Sequence, residues 1–252
     1  MKPVFLSPQW SDLPQIVVFS STRNGGVSTG HCADFNLAGH VGDHEQQVAK
    51  NREILQRSLP GQPELQWLDQ IHGTDVLHIS QATEPLVADG LITQTAGIAC
   101  CVMTADCLPV VLASEIGHEV AAVHAGWRGL AAGIVEQAVN EMDTASENIR
   151  AWLGPAINLC HFEVGEDVRD AFLASAVDSG SERLLRQCFQ GGAKPEKFMA
   201  DLRQLAKVRL AALGIKRVDD SALCSYCDSD RFFSYRRESQ TGRNVTGIYL
   251  RP

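Results

Sequence analysis

CCVMTADCLPVVLASEIGHEVAAVHAGWRG, residues 100–129, contains three apolar runs, at 99–103 (the first run beginning one residue upstream), 108–113 and 120–123. Each run begins or ends at a polar or metal-capable side chain. Cys107 opens the second and His124 closes the third, so both can stand at strand ends, where a rigid sheet holds reactive groups beside mobile loops. Gly126 and Gly129, on either side of Trp127 and Arg128, allow close backbone approach. The stretch therefore predicts adjacent strands with a site at their ends.

Outward from it, a helix is expected from Leu130 through Ile134, Val135, Ala138, Val139 and Met142, which recur at helical spacing and run directly out of the HAGWRG loop. Its first free N–H groups would favour an anion near His124 and Arg128. Upstream, a proline-punctuated arm to Gln15 should pack Trp10 on the body. A strand at 16–20 then enters the Gly25-Gly26 turn, and Asp43 should cap a helix over 44–59 ended by Pro60-Gly61. Short strands are expected at 65–68 and 76–79, with His72 between them beside Gly73. Downstream lie a strand at 149–153, helices near 165–174 and 201–213, and a last strand at 245–250. Phe232 to Arg237, FFSYRR, alternates as a strand would, with rings to one side and arginines to the other. With no linker, repeat or low-complexity tract, one mixed domain of helices and strands is the simpler parse.

The chain has 252 residues, 44% hydrophobic and 21% charged, in the range of folded globular proteins. No apolar run reaches the ~20 residues of a membrane span, and no signal-like block opens the sequence, so a cytoplasmic protein is expected. A net charge of −8 argues against nucleic acid and anionic membrane as partners. A small anion remains compatible through Arg23, Arg128, Arg236 and Arg237. Eight cysteines without a secretory signal suggest free thiols and ligands rather than disulfides. The adjacent Cys100 and Cys101 should face opposite sides of one strand.

His72, Cys107 and His124 are the foremost candidates for chemistry. Two imidazoles and a thiolate form a borderline-soft donor set, and three protein ligands leave a fourth position open. The residues alone leave three readings: a metal site, unrelated buried side chains, or a Cys107 nucleophile with His124 or His72 as base and Asp106 as orienter. Cys224 and Cys227 form a single CxxC, more simply read as two free thiols. Cys160 offers a fourth ligand to the main set, and His161 reads as a partly buried polar residue.

STRNGGVS at 21–28, NL at 36–37, QIHGTDV at 70–76, ADGLIT at 88–93, TADCLPV at 104–110, HAGWRG at 124–129, LGPAI at 153–157 and FFSYRR with TGR at 232–243 together resemble the bacterial laccase-domain family. Its members have been called multicopper polyphenol oxidases, purine nucleoside phosphorylases and peptidoglycan editing factors. The resemblance implies an α+β fold, a single compact domain across 1–252 with layers of mixed β-sheet flanked by helices. It implies one zinc on His72, Cys107 and His124 with an open fourth position; such a set can also bind copper in vitro, because copper stands above zinc in intrinsic affinity. It further implies phosphorolysis of adenosine, inosine, guanosine and methylthioadenosine, together with adenosine deamination. Arg23, Asn36, Arg128 and Arg236 fall in the matching motifs, Arg23 as a phosphate or ligand contact and the others as candidate substrate or phosphate contacts whose roles the motifs do not assign; Asp106, beside Cys107 in sequence, is a candidate acid/base group. The alternatives are editing of a wrongly built UDP-muramoyl-amino acid and copper-dependent polyphenol oxidation. The chain departs from the family at Asn158 and Leu159, where members often carry glycine and proline before a cysteine. A multicopper centre also needs many imidazoles, usually in His-x-His pairs, and here there are eight histidines and no such pair.

Overall fold

Apolar runs that do not alternate with polar residues are what strands covered on both faces require. The computed structural model describes residues 2–252, and in it strands Ile98–Thr104, Leu108–Ser114 and Val120–Ala125 are buried along their whole length. The first of them lies in a different sheet from the other two. One sheet has five strands, in the order Phe5–Leu6, Ile16–Ser21, Asn244–Leu250, Ile98–Thr104, Glu64–Gln66. The other has six, in the order Arg217–Asp220, Ile149–Leu153, Leu108–Ser114, Val120–Ala125, Gly90–Thr93, Val76–Ile79. Both are mixed: most neighbours are antiparallel, but Glu64–Gln66 pairs parallel to Ile98–Thr104, and both edge strands of the larger sheet pair parallel to their neighbours.

The two sheets face each other, and side-chain parity sorts the core into layers. Val111, Ala113, Val120, Ala122 and Trp152 of the larger sheet pack against Val18, Cys100, Val102 and Ile248 of the smaller one. The alternate positions Val110, Leu112, Ala121, Val123 and Ala151 face outward, under helices Trp127–Ala132, Ile134–Glu141, Glu166–Ala174 and Leu202–Ala212. The outer face of the smaller sheet, with Phe19, Cys101, Val245 and Tyr249, is covered by Leu55 and Leu59 at the end of helix Glu45–Ser58. Cys100 and Cys101 thus point into different layers. Each fully buried Val or Leu contributes about 1.5–3 kcal/mol relative to exposure, so these layers dominate the stability of the fold. The result is an α+β architecture of two mixed sheets between helices, the class expected.

Several local expectations need correction. The helix after HAGWRG is two helices, because Gly133 takes a left-handed φ of 97° and ends the first after six residues. Asp43 does not cap helix Glu45–Ser58 through its first turn. Its carboxylate instead accepts from Ser28, Asn36 and the His44 N–H. Phe232 to Arg237 is not a strand, and Phe232 and Phe233 are both fully buried rather than alternating. A small sheet of Glu163–Gly165, Lys197–Ala200 and Phe189–Gly191 occupies a region read only as helix and loop. Trp10 does pack down, and its indole N–H donates to Asp219 at 2.7 Å. Among the described residues no helix is long and apolar enough to cross a membrane.

Candidate metal centre

Strand ends from both sheets converge at one end of the seam between them. Strand Ile98–Thr104 stops there, Cys107 lies in the turn before Leu108–Ser114, and His124 is the penultimate residue of Val120–Ala125. By parity His124 points to the same face as Val120 and Ala122, toward the seam. His72 comes from the connection between Leu68–Asp69 and Val76–Ile79, at a left-handed φ of 60°. Asp106, immediately before Cys107, has φ 95°. Two non-glycine residues in this region of backbone space, flanking one site, are the kind of strain that a surrounding structure must hold in place.

The Cys107 sulfur lies 3.8 Å from His72 Nε2, the two imidazole rings are 4.8 Å apart between centres, and one donor atom from each of His72, Cys107 and His124 falls within 4.8 Å of the others. Gly126 makes room for them: a Cβ there would stand 2.7 Å from His72 Cδ2 and 3.3 Å from the Cys107 sulfur. Two imidazoles and a thiolate converging without an intervening side chain fit a zinc-type ion with one position free.

Asp89 organises the group. It is fully buried just before strand Gly90–Thr93, and its Oδ1 accepts from His124 Nδ1 at 2.7 Å and from the His72 N–H at 3.0 Å. Its Oδ2 accepts from the N–H groups of Ile71 and Gly73. A carboxylate on Nδ1 fixes the tautomer of His124 and leaves Nε2 for a ligand. ADGLIT carried this residue, but no sequence signal distinguished a metal-organising aspartate from a turn aspartate. Its role depends on loop 70–73 folding over it.

Electrostatics reinforce the geometry. Burial pushes the Cys107 thiol up, but the charge of His124 and hydrogen bonds from both histidines outweigh it and bring the thiol down to about 6. Burial pushes His124 down, and the Cys107 thiolate and Asp89 outweigh it and raise the imidazole to about 9. Between those values the metal-free site holds a thiolate and an imidazolium, so binding a divalent ion must expel the His124 proton. Zinc affinity should therefore rise about tenfold per pH unit from about 6 to about 9 and more steeply below 6, where Cys107 also competes for a proton. Calorimetric titrations of zinc into wild-type and Cys107→Ala apo-protein at pH 7.5, in buffers of different ionisation enthalpy, should differ by about one proton released; no difference would contradict the ion pair.

The three donors line a cavity of about 240 Å³ together with His40, Gln70, Met103, Thr104, Ala105, Tyr235 and Arg243. A wider cleft of about 590 Å³ lies between Asn158 and Lys207, but it contains neither these donors nor Asp89. Of the expected ligand contacts, Arg23, Asn36, Arg128 and Arg236 do not line the cavity. Arg23 donates to the carbonyls of Ala33 and Ser229 and lies over the Phe233 ring. Arg236 donates to the carbonyls of His161 and Glu163. Arg128 lies over Trp127. Asn36 accepts the N–H of Arg243, whose guanidinium does reach the cavity wall. Arg243 belongs to the TGR motif, but an arginine one residue before a strand looks like any surface arginine until the strand is placed at the sheet centre. Asp106 has both carboxylate oxygens engaged, by the Ser225 hydroxyl and the Arg236 N–H, each at 2.6 Å. Cys160 does not join the main set; it meets Cys227 at 3.6 Å.

A double-sheeted α+β chain with an open two-histidine, one-cysteine donor set is the class of protein that this fold and site define. Residues 17–251 match the family described as multi-copper polyphenol oxidoreductase laccase, and the chain belongs to that family. It is 44% identical over 248 residues to purine nucleoside phosphorylase YfiH of Escherichia coli, covering 96% of this chain and 97% of that one. It is 40% identical to a purine nucleoside phosphorylase of Haemophilus influenzae, over 97% and 98% of the two chains. The crystal structure of Neisseria meningitidis protein NMB0706 superposes with a TM-score of 0.92 at 39% identity, covering 98% of this chain and 99% of that one.

Proposed function

We propose that this chain is a zinc-dependent purine nucleoside phosphorylase, acting on adenosine, inosine, guanosine and methylthioadenosine, that also deaminates adenosine in the cytoplasm. The observation that carries the reading is the open His72–Cys107–His124 set lining a cavity whose wall also contains a half-buried cation, Arg243. The relatives named as purine nucleoside phosphorylases over nearly their whole length support it.

Bound zinc would supply Lewis-acid polarisation of an oxygen at the position the three side chains leave open. The protein's own groups do the rest. His72 and His124 are held by Asp89, so the donor set is rigid before substrate enters. Arg243 spends one guanidinium nitrogen on the carbonyls of Thr241 and Gly242, which points the group, and its remaining donors can hold phosphate. The half-exposed ring of Tyr235 on the same wall offers a face on which a purine can stack. Burial, and then the charge of Arg243, lower the His40 imidazole, keeping it neutral near pH 7 and able to hydrogen-bond the base without adding positive charge beside the phosphate. In phosphorolysis a phosphate oxygen bonds to C1′ while the C1′–N9 bond breaks and the purine leaves with its electron pair and a proton. In deamination a water oxygen bonds to C6 and ammonia leaves. Asp106, with both oxygens engaged, acts in this reading by shaping the turn that carries Cys107 rather than by moving a proton.

Multicopper oxidation is the weaker reading. Among the described residues only two groups of three or more metal-capable side chains occur, and only one contains two imidazoles. Adenosine turnover with and without phosphate, on protein whose metal has been counted, tests the proposal. Phosphate-dependent adenine and ribose 1-phosphate are expected, with inosine formed independently of phosphate. Neither product at high enzyme concentration would overturn it.

A further inference from the structure

The second group of metal-capable side chains is not used by the cavity. Strands Ile149–Leu153 and Arg217–Asp220 run parallel at the edge of the six-stranded sheet, and an isolated bridge from Ala156 to Cys224 extends their pairing. That register brings Cys160 and His161, on the turn after one strand, against Cys224 and Cys227, on the turns after the other. The sulfurs of Cys160 and Cys227 are 3.6 Å apart, and His161 Nδ1 lies 3.1 Å from the first and 3.3 Å from the second. With the Cys224 sulfur, all four donor atoms lie within 4.8 Å of one another. Zinc bonds of about 2.3 Å to sulfur and about 2.0–2.1 Å to nitrogen make the edges of a tetrahedral site roughly 3.5–3.8 Å, so small side-chain shifts complete one here.

The surroundings hold the donors in place. The His161 ring stacks on Tyr226, with centres 4.0 Å apart and planes at 19°, so one of the two residues inside the CxxC sets the orientation of the imidazole. The Cys224 sulfur is buried and accepts the N–H of Asn158 at 3.4 Å, an outer contact of the kind that steadies ligand thiolates. Asn158 also accepts from Arg203 at 2.8 Å, which pins the start of the turn.

We propose that Cys160, His161, Cys224 and Cys227 hold a second zinc ion in a closed, four-donor structural site. Its four protein ligands leave no position for substrate, in contrast to the open set in the cavity. The two are linked through Asp106. Ser225, inside the CxxC, donates to one of its oxygens, and Arg236, whose guanidinium bonds the His161 carbonyl, donates its N–H to the other. The Ile157 N–H donates to the Asp106 carbonyl. An ion joining 160–161 to 224–227 therefore braces the strained turn that presents Cys107.

Zinc counted by mass spectrometry on native protein tests this, because the readout is stoichiometry and not turnover, so failure of the nucleoside reading does not bear on it. Two zinc ions per chain are expected in the wild type, one in Cys107→Ala and one in Cys227→Ser. In the Cys107→Ala protein, X-ray absorption should show the remaining zinc with three sulfurs and one nitrogen. Iodoacetamide mapping of the wild type should find the exposed Cys160 and Cys227 protected until chelator is added. Wild type with one zinc and Cys107→Ala with none would overturn the site, as would a Cys160–Cys227 disulfide in the protein as isolated. If Cys227→Ser fails to fold, the wild type and Cys107→Ala still decide.

Discussion

Cys107→Ala protein, shown to be folded, is expected to hold no zinc in the cavity and to release base from adenosine about 10³-fold or more slowly than the wild type. The size follows from losing several kcal/mol of charge stabilisation at the reacting oxygen, since each 1.36 kcal/mol is tenfold in rate. The fold should tolerate the change. Cys107 lies in a turn, makes its contacts to the two histidines, and precedes rather than belongs to the core strand Leu108–Ser114. His124→Ala should be equally inactive but less stable, because it also leaves the buried Asp89 carboxylate without its imidazole partner. Wild-type turnover by Cys107→Ala would place the chemistry elsewhere. Alkylation separates a ligand from a nucleophile: a zinc-bound thiolate resists iodoacetamide until the metal is stripped, whereas a catalytic thiolate paired with an imidazolium reacts at once.

Replacing Asp89 should have the largest structural effect of any single change at the site. In Asp89→Ala, His124 Nδ1 and the N–H groups of Ile71, His72 and Gly73 all lose their acceptor. Each buried donor left unpaired costs about 1–3 kcal/mol, partly recovered where loop 70–73 opens to water. A net loss of a few kcal/mol would lower the melting temperature by on the order of 10 °C in a chain of this size. Asp89→Asn is the sharper probe. It keeps the volume and some acceptor capacity but removes the charge and turns an amide toward groups that donate. Zinc affinity should fall about 10–100-fold while the fold persists. Melting curves and competitive zinc titration measure the two effects, and an Asn variant that binds zinc as tightly as the wild type would show that the carboxylate does not organise the site. Burial pushes the Asp89 carboxyl up, but its bonds from His124 and the loop N–H groups outweigh this and hold it below the ordinary 3.8. Its stabilisation is therefore in place above about pH 4 and lost as acid protonates the folded state.

The strand ends at Cys107 and His124 were legible because uninterrupted apolar runs stop there, although the runs alone left a metal site, unrelated buried side chains and a nucleophile open. The close approach expected of Gly126 and Gly129 was legible for a similar reason. A Cβ at Gly129 would stand 2.7 Å from the Gly73 carbonyl, and the one at Gly126 would strike His72. The arginines were harder. A guanidinium makes the same sense in a sequence whether it grips a ligand or a backbone carbonyl. Arg23 and Arg236 grip carbonyls, while the cavity cation is Arg243. FFSYRR misled through its alternation, since two adjacent phenylalanines can both be buried when the backbone coils between elements instead of extending.

What the sequence by itself determined is local: the apolar strands, the metal-capable Cys107 and His124 at their ends with His72 on a tight connection, and the family whose motifs they form. Those features depend on residue type and on spacing within a few neighbours. The assignment of Ile98–Thr104 and Leu108–Ser114 to opposite sheets, the seam that joins Cys107 to His72 across 35 positions, and the four-bond role of Asp89 were decided by tertiary structure. So was the meeting of Cys160 with Cys227, residues 67 apart. Contacts at such separations are set by which strands pair and in what register. Pairing is a property of the packed layers, since any apolar strand here could cover another until the helices and the opposing sheet select one arrangement.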